Sequence, residues 1–315
     1  MIQMIGNPDT TAHEWMNGLY GAPIQPAEFV AMRLVHELAW EGGVLRQWHL
    51  AAHDRLQWRV HLLQPDDKSR HVDLGHRILL SGDGCWPHCV SPEAMRACVQ
   101  QGVSLAWFDR LELADDPPSA ARQGAYFNLH PTSQSGCLMV WAWGLAVTAQ
   151  ALKTLHPACR VCVMGHSRGG KAALLAAAMD DAIDAVVANN SGTGGTASLA
   201  VSSEGAESLQ ALVAHYPHWF GEAARQSSMQ ARLAQLDCTA LWQKIAPRPL
   251  LILQAQGDAW ANPSGTRHTH GVLKKHWPDE PEGALVLIER QGAHAMQTCD
   301  WDNAASWWRH VRVRQ

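Results

Sequence analysis

Residues 161–171 read VCVMGHSRGGK, and this short stretch constrains the fold more than any other part of the chain. The apolar run RVCVM at 160–164 predicts a buried strand, and the Ala-rich run at 168–180 predicts a helix. Between them Gly-His-Ser-Arg-Gly leaves no spacer. In a strand–turn–helix setting the pattern G-x-S-x-G has a mechanical meaning. Gly165 and Gly169 leave room for a turn so sharp that Ser167 takes a strained backbone conformation, which lifts its Oγ above the sheet edge. The next backbone N–H, that of Arg168, falls at the positive end of a helix, where it can stabilise an oxyanion. Ser167 is therefore the candidate nucleophile. A tight turn in some other strand–helix protein would not require serine at its apex.

The surrounding chain supplies the matching architecture. Residues 44–63 read as two antiparallel strands around a polar HDR break, and Arg77–Leu80 as a short apolar strand ending in a glycine-containing loop. SPEAMRACVQQG is a helix with Ser91 as N-cap, Pro92 in its first turn and Gly102 just past its end. VSLAWF is a strand, and the polar stretch 109–137 is a long functional loop. Beyond it come a helix over 138–155, the elbow, the strand DAVVAN, the strand PLLILQ, a helix over 264–277, the strand ALVLIE and a helix over 300–312. Alternating strands and helices predict an α/β fold, specifically the α/β-hydrolase fold, with a mostly parallel central sheet and helices on both faces. The expected organisation is an N-terminal arm over 1–40 packing on a single catalytic domain over 41–315, with a helical insertion at about 204–243.

A nucleophile elbow needs a base and an orienting acid later in the chain, in the order Ser, acid, His. PRPLLILQAQGDAWANP places Asp258 just after an apolar strand, and ALVLIERQGAHAM places His294 after the next one. Active-site groups of open parallel sheets sit at the carboxyl ends of strands, so His294 is the expected base and Asp258 the expected acid, with Asp300 and Glu289 as competitors. Lys171 lies one helical turn beyond Ser167, so its ammonium can reach an acidic or hydroxylated substrate, unless it is a solvated lysine.

Composition removes other classes. Net charge is −4, and Lys and Arg form no long run, so nucleic-acid binding has no electrostatic support. No uncharged run of apolar residues is long enough to span a bilayer, and no basic segment followed by an apolar stretch opens the chain. That reads as a cytoplasmic location, or a secreted or periplasmic one if a leader has been removed. A G-x-G-x-x-G loop after an early strand is absent, so no dinucleotide cofactor is expected. No metal site is expected either: Cys159 and Cys162 face opposite sides of a strand, and His268 and His270 stand two apart on a helix. Cys85 and Cys89 share a loop where a disulfide has no support. There are 15 Trp against 4 Phe and 3 Tyr, so Trp fills core positions, with a few left to line a pocket for a flat or sugar-like ligand. The oligomeric state is left open.

Seven segments in this order carry a more specific likeness: WAWGL (141–145), GHSRGGKAAL (165–174), NSGTGG (190–195), HWF (218–220), PRPLL (247–251), DAWANP (258–263) and GAH (292–294). Over roughly residues 75–310 the chain resembles the glucuronoyl esterases, carbohydrate esterase family 15. Those are serine esterases of the α/β-hydrolase fold that cleave esters between 4-O-methyl-glucuronic acid on xylan and lignin alcohols. The resemblance implies Ser167 as nucleophile, His294 as base, and a side-chain contribution of Arg168 to the oxyanion site. It also implies contacts to the sugar from Lys171, Trp260 and Glu207. Many members carry their catalytic glutamate immediately before the SG of the segment after the elbow. Here Asn190 occupies that position, so the acid duty falls to Asp258. The expected function is hydrolysis of glucuronic acid esters through an acyl-enzyme. The alternatives are an acetyl-xylan or short-chain carboxylesterase and, in a different class, a non-catalytic carbohydrate-binding protein on a hydrolase fold.

Overall fold

The structure, a computed structural model, describes residues 8–24, 29–52, 55–66, 75–84, 90–117, 121–236, 238–277 and 283–313. Cys85 and Cys89 lie outside the described residues. Among the described residues nine strands form one sheet: β1 (Phe29–Trp40), β2 (Gly43–Ala52), β3 (Gln57–Pro65), β4 (Arg77–Ser81), β5 (Ser104–Phe108), β6 (Arg160–His166), β7 (Ala185–Asn189), β8 (Leu250–Ala255) and β9 (Leu285–Arg290). Their spatial order is β1-β2-β3-β5-β4-β6-β7-β8-β9. The first three strands and β5 pair antiparallel, and from β5 through β9 every pairing is parallel.

The parallel half explains why its strands read as apolar runs rather than alternations, since both faces are covered. On one face lie α4 (Cys137–Leu155) and α5 (Arg168–Met179), on the other α2 (Pro92–Gln100) and α10 (Thr298–His310). In β6, Val161 and Val163 point into the first layer while Cys162 and Met164 point into the second. Cys159, just ahead of the strand, packs with the first layer, so Cys159 and Cys162 do sit on opposite faces, both as free thiols. Burial pushes the Cys159 thiol up to about 11 and raises that of Cys162 well above its usual value, which leaves both inert. α4 is long and apolar enough by composition to cross a membrane, yet most of it is buried inside the protein.

Tryptophan does fill the core: Trp15, Trp58, Trp141, Trp242 and Trp308 are almost fully buried. Their indole N–H groups find partners where the backbone offers one, as Trp141 donates to Ala114 O (2.9 Å) and Trp242 to Gly195 O (2.8 Å).

The expected arm over 1–40 needs correction. Residues of α1 (Pro8–Trp15) and the turn after it do pack on the domain, against α8 (Thr239–Trp242), and Tyr20 donates its hydroxyl to Gly194 O. Phe29–Trp40, however, is the edge strand of the sheet, so a boundary at 40/41 would cut the β1–β2 hairpin. The reason is physical. From Ala31 onward the strand is largely exposed, and its register slips between Leu34 and His36. No buried face imposes a two-residue period, so the strand leaves no alternation to read. The segment expected to be a helical insertion contains α6 (Leu209–His215), α7 (Ser227–Gln235) and α8.

Candidate functional site

The elbow forms as its residues dictate. Ser167 has φ 53° and ψ −117°, a backbone conformation that costs a non-glycine residue on the order of 1–3 kcal/mol. The surroundings hold it there: Ser167 N donates to Asn189 O (2.8 Å), and Lys171 N donates to Ser167 O (3.1 Å) to begin α5. A Cβ at Gly165 would collide with the backbone of Gly169, and a Cβ at Gly169 with the carboxylate of Asp83. Both glycines are therefore required by close approach, the second because a buried acid lies over the helix start. Asp83, in the loop after β4, accepts from His166 N (2.8 Å) and is ion-paired with Arg110.

Three loops at the carboxyl ends of β6, β8 and β9 bring the reactive groups together. His294 Nε2 lies 3.0 Å from Ser167 Oγ, and His294 Nδ1 lies 2.6 Å from Asp258 Oδ2. Asp258 is buried, 2% exposed, and its other oxygen accepts from Ala261 N (3.1 Å). That second bond fixes the carboxylate plane, so Oδ2 is presented to the imidazole. The competitors are engaged elsewhere: Asp300 pairs with Arg290 and caps α10, and Glu289 pairs with Arg267. A carboxylate on Nδ1 fixes the tautomer that leaves Nε2 able to take the serine proton.

On the other side of Ser167, the Arg168 guanidinium is held by three contacts. It pairs with Asp116, and it lies over the ring of Trp219 at 4.6 Å and over Tyr216 at 5.6 Å from the centroids. Asp116 also accepts from His218 Nε2 (2.9 Å) and Trp219 Nε1 (2.7 Å). Burial works against this carboxylate. The His218 hydrogen bond, the Arg168 charge and the Trp219 N–H together hold its pKa far below the usual carboxylate range.

The remaining expected residues cluster around the loop after β7 (residues 190–196). Lys171 is buried, and its Nζ donates to Ser191 O at 2.5 Å. Burial lowers its pKa to about 8, against the pull of the Glu207 charge. Glu207 is itself buried, with its Oε1 lacking a hydrogen-bond partner, and burial raises its pKa against the pull of Lys171. Glu207 N donates to Trp260 O (3.1 Å), so these two expected substrate contacts are tied together. Trp260 is 47% exposed, the one tryptophan among the large exposed apolar side chains of the described residues, and stands two residues from Asp258. Lys171 and Glu207 are thus buried side by side behind the exposed Trp260 indole, with one carboxylate oxygen of Glu207 left without a donor. Sequence reasoning missed Asp83 and Asp116. Asp83 had a faint signal, an acid inside a glycine-flanked loop after a strand. Asp116 had none, because its partners arrive from 52 to 103 residues downstream.

A largely parallel sheet with a serine on its strand–helix turn, backed by histidine and aspartate from the two following strand ends, defines an α/β-hydrolase-fold protein with a complete Ser–His–Asp constellation. The comparisons narrow this. Residues 66–277 match the family model described as glucuronyl esterase, fungi. The chain belongs to the glucuronyl esterase family. It is 31% identical over 225 residues to a carbohydrate esterase of an unknown prokaryotic organism, covering 64% of this chain and 51% of that protein. It is 27% identical over 216 residues to 4-O-methyl-glucuronoyl methylesterase 1 of Sodiomyces alcalophilus, covering 65% of this chain and 43% of that protein. The chain thus spans about half the length of the curated relatives it matches. Among solved structures, a family 15 glucuronoyl esterase from Caldicellulosiruptor kristjansonii superposes with a TM-score of 0.75 at 23% identity, covering 96% of this chain and 83% of that one.

Proposed function

We propose that the chain hydrolyses esters of glucuronic acid by a serine acyl-transfer mechanism. The observation that carries this reading is the continuous hydrogen-bonded line Ser167 Oγ–His294–Asp258 at 3.0 and 2.6 Å, in a chain of the glucuronyl esterase family. His294 takes the Ser167 proton as Oγ attacks the ester carbonyl, and Asp258 stabilises the imidazolium that results. The tetrahedral oxyanion draws on the backbone N–H of Arg168 at the start of α5 and on its guanidinium. His294 then returns the proton to the leaving alcohol, and water, activated by the same imidazole, releases the uronic acid from the acyl-enzyme.

Selectivity for a sugar acid follows from what lies beside the triad. A plain acetate ester has no use for a buried ammonium, whereas Lys171 and Glu207 can satisfy ring hydroxyls and Trp260 offers an apolar face to the ring. The test is hydrolysis of a methyl or benzyl ester of glucuronic acid beside p-nitrophenyl acetate, with wild type and Ser167→Ala. Faster cleavage of the uronate ester and a dead variant support the reading. Cleavage of acetate alone would leave a general short-chain esterase.

A further inference from the structure

The loop that carries His294 is exposed almost throughout, from Gln291 to Cys299. It has little apolar burial to keep it in place, so hydrogen bonds must do so. Several converge on it. Gly257 N donates to Gly292 O (3.0 Å), which ties the acid's loop to the base's loop. Arg290, clamped by Asp300 through two bonds of 2.8 Å, donates to Ala295 O. The same carbonyl, one residue after His294, also accepts from Asn190 Nδ2 (3.3 Å).

Asn190 is unusually placed for this. It stands at the carboxyl end of β7 with φ 43°, a left-handed conformation that asparagine tolerates better than most residues. Its side chain is buried and uses both ends of the amide. Oδ1 accepts from Ala255 N (2.7 Å) and Gln254 Nε2 (3.2 Å), at the end of the strand that leads to Asp258. Nδ2 donates to Ala295 O and to Asn189 Oδ1 (3.1 Å). The amide orientation follows from chemistry, because a backbone N–H must meet the oxygen. Asn189 Oδ1, so fixed as an acceptor, takes the N–H of His166 Nδ1, and the His166 ring packs 4.8 Å from that of His294.

We propose that Asn190 is a positioning residue for the triad: its amide bridges the end of β8 to the carbonyl beside His294 and so sets the approach of His294 to both Asp258 and Ser167. A carboxylate at this position would keep the bonds to Ala255 and Gln254 but would face two oxygens, Ala295 O and Asn189 Oδ1, with no proton to give. Asparagine is thus the side chain that this arrangement of loops requires once the acid is supplied by Asp258. The proposal rests on the serine-nucleophile reading above, but not on the identity of the substrate.

The test uses a fluorophosphonate probe, which reacts with an activated serine whatever the natural ester. The second-order rate of Ser167 labelling is followed against pH for wild type and Asn190→Asp, and the final amplitude counts folded sites. In Asn190→Asp the rate per labelled site is expected to fall roughly 10- to 100-fold, as befits a lost buried donor facing a carbonyl. The pH midpoint is expected to rise, because the added negative charge favours the protonated imidazole. A purely structural role would lower the amplitude and leave the rate per labelled site unchanged. If Asn190→Asp does not fold, Asn190→Ser removes the bridge without adding charge, and should label more slowly at an unshifted midpoint. Wild-type rates in either folded variant overturn the proposal. A wild type that the probe does not label would instead overturn the serine-nucleophile reading, and the proposal with it.

Discussion

Ser167 stands between two pairs, each an acid holding a nitrogen side chain, that look alike and differ in what they can do. On one side Asp258 holds His294, and on the other Asp116 holds Arg168. Both acids are buried or nearly so, and both have further donors fixing the carboxylate. The partners differ. Imidazole gains and loses a proton near neutral pH, whereas guanidinium keeps its charge throughout. In the proposed mechanism the first pair therefore moves a proton. The second is a permanent charge held in a fixed plane against Trp219 and Tyr216. An acyl-transfer site needs one of each, a base that cycles and an electrostatic support that does not.

The sharpest way to break this comparison is at the residue both pairs serve. Ser167→Ala should abolish ester hydrolysis while circular dichroism and melting temperature stay near wild type, because the change removes a single hydroxyl whose hydrogen-bond partner is the His294 ring. Residual turnover near wild type would remove the whole scheme. Next in size is Asp258→Asn, which presents an amide to Nδ1 and favours the wrong tautomer. A loss in kcat of about 10⁴-fold is expected. A loss below about tenfold would mean that another carboxylate orients His294, contrary to its role in the first pair.

Asp116→Asn tests the second pair and should be smaller. The variant leaves Arg168 charged but releases it from its clamp, and it sacrifices one acceptor of the His218 and Trp219 donors. A fall of roughly 10- to 100-fold in kcat/KM is expected, less than the loss of an oxyanion donor outright. The acid limb that reports His294 should not move. If that limb shifts, the two pairs are coupled and the division of labour drawn here is wrong.

The two pairs also differ in how far the sequence betrayed them. Asp258 and His294 could be read because each follows an apolar strand closely, and parallel sheets deliver strand ends to one place. Ser167 could be read because its turn admits few residues. Asp116 could not, since its segment carries no periodicity and its three partners are on the elbow and on residues 218–219. The same contrast holds for the fold. The parallel strands β6 to β8 announce themselves as apolar runs buried on both faces. The edge strand β1 has too little burial to leave a pattern, and its residues were expected in an arm. What was legible is what local chemistry dictates, and what was not is what only long-range contact creates.

The smallest expected effect lies beside the pairs, at Lys171, and separates substrate recognition from chemistry. Its pKa is lowered to about 8 because burial penalises the ammonium more than Glu207 favours it. Above that pH the side chain loses its proton and can no longer donate from a charged nitrogen to a sugar oxygen. For a glucuronate ester KM should therefore rise severalfold as pH passes about 8, while kcat holds. The same titration has a stability sign. The unfolded lysine keeps its proton up to the ordinary value of 10.5, so between about 8 and 10.5 the unfolded chain binds more protons at this site, and the lysine's own contribution to stability grows as pH rises. Lys171→Met should abolish the alkaline rise in KM on the uronate ester and leave p-nitrophenyl acetate hydrolysis within about twofold, since removing an ammonium that acetate does not touch alters neither pair flanking Ser167. Equal losses on both esters would move Lys171 from recognition into the electrostatics of the reaction itself.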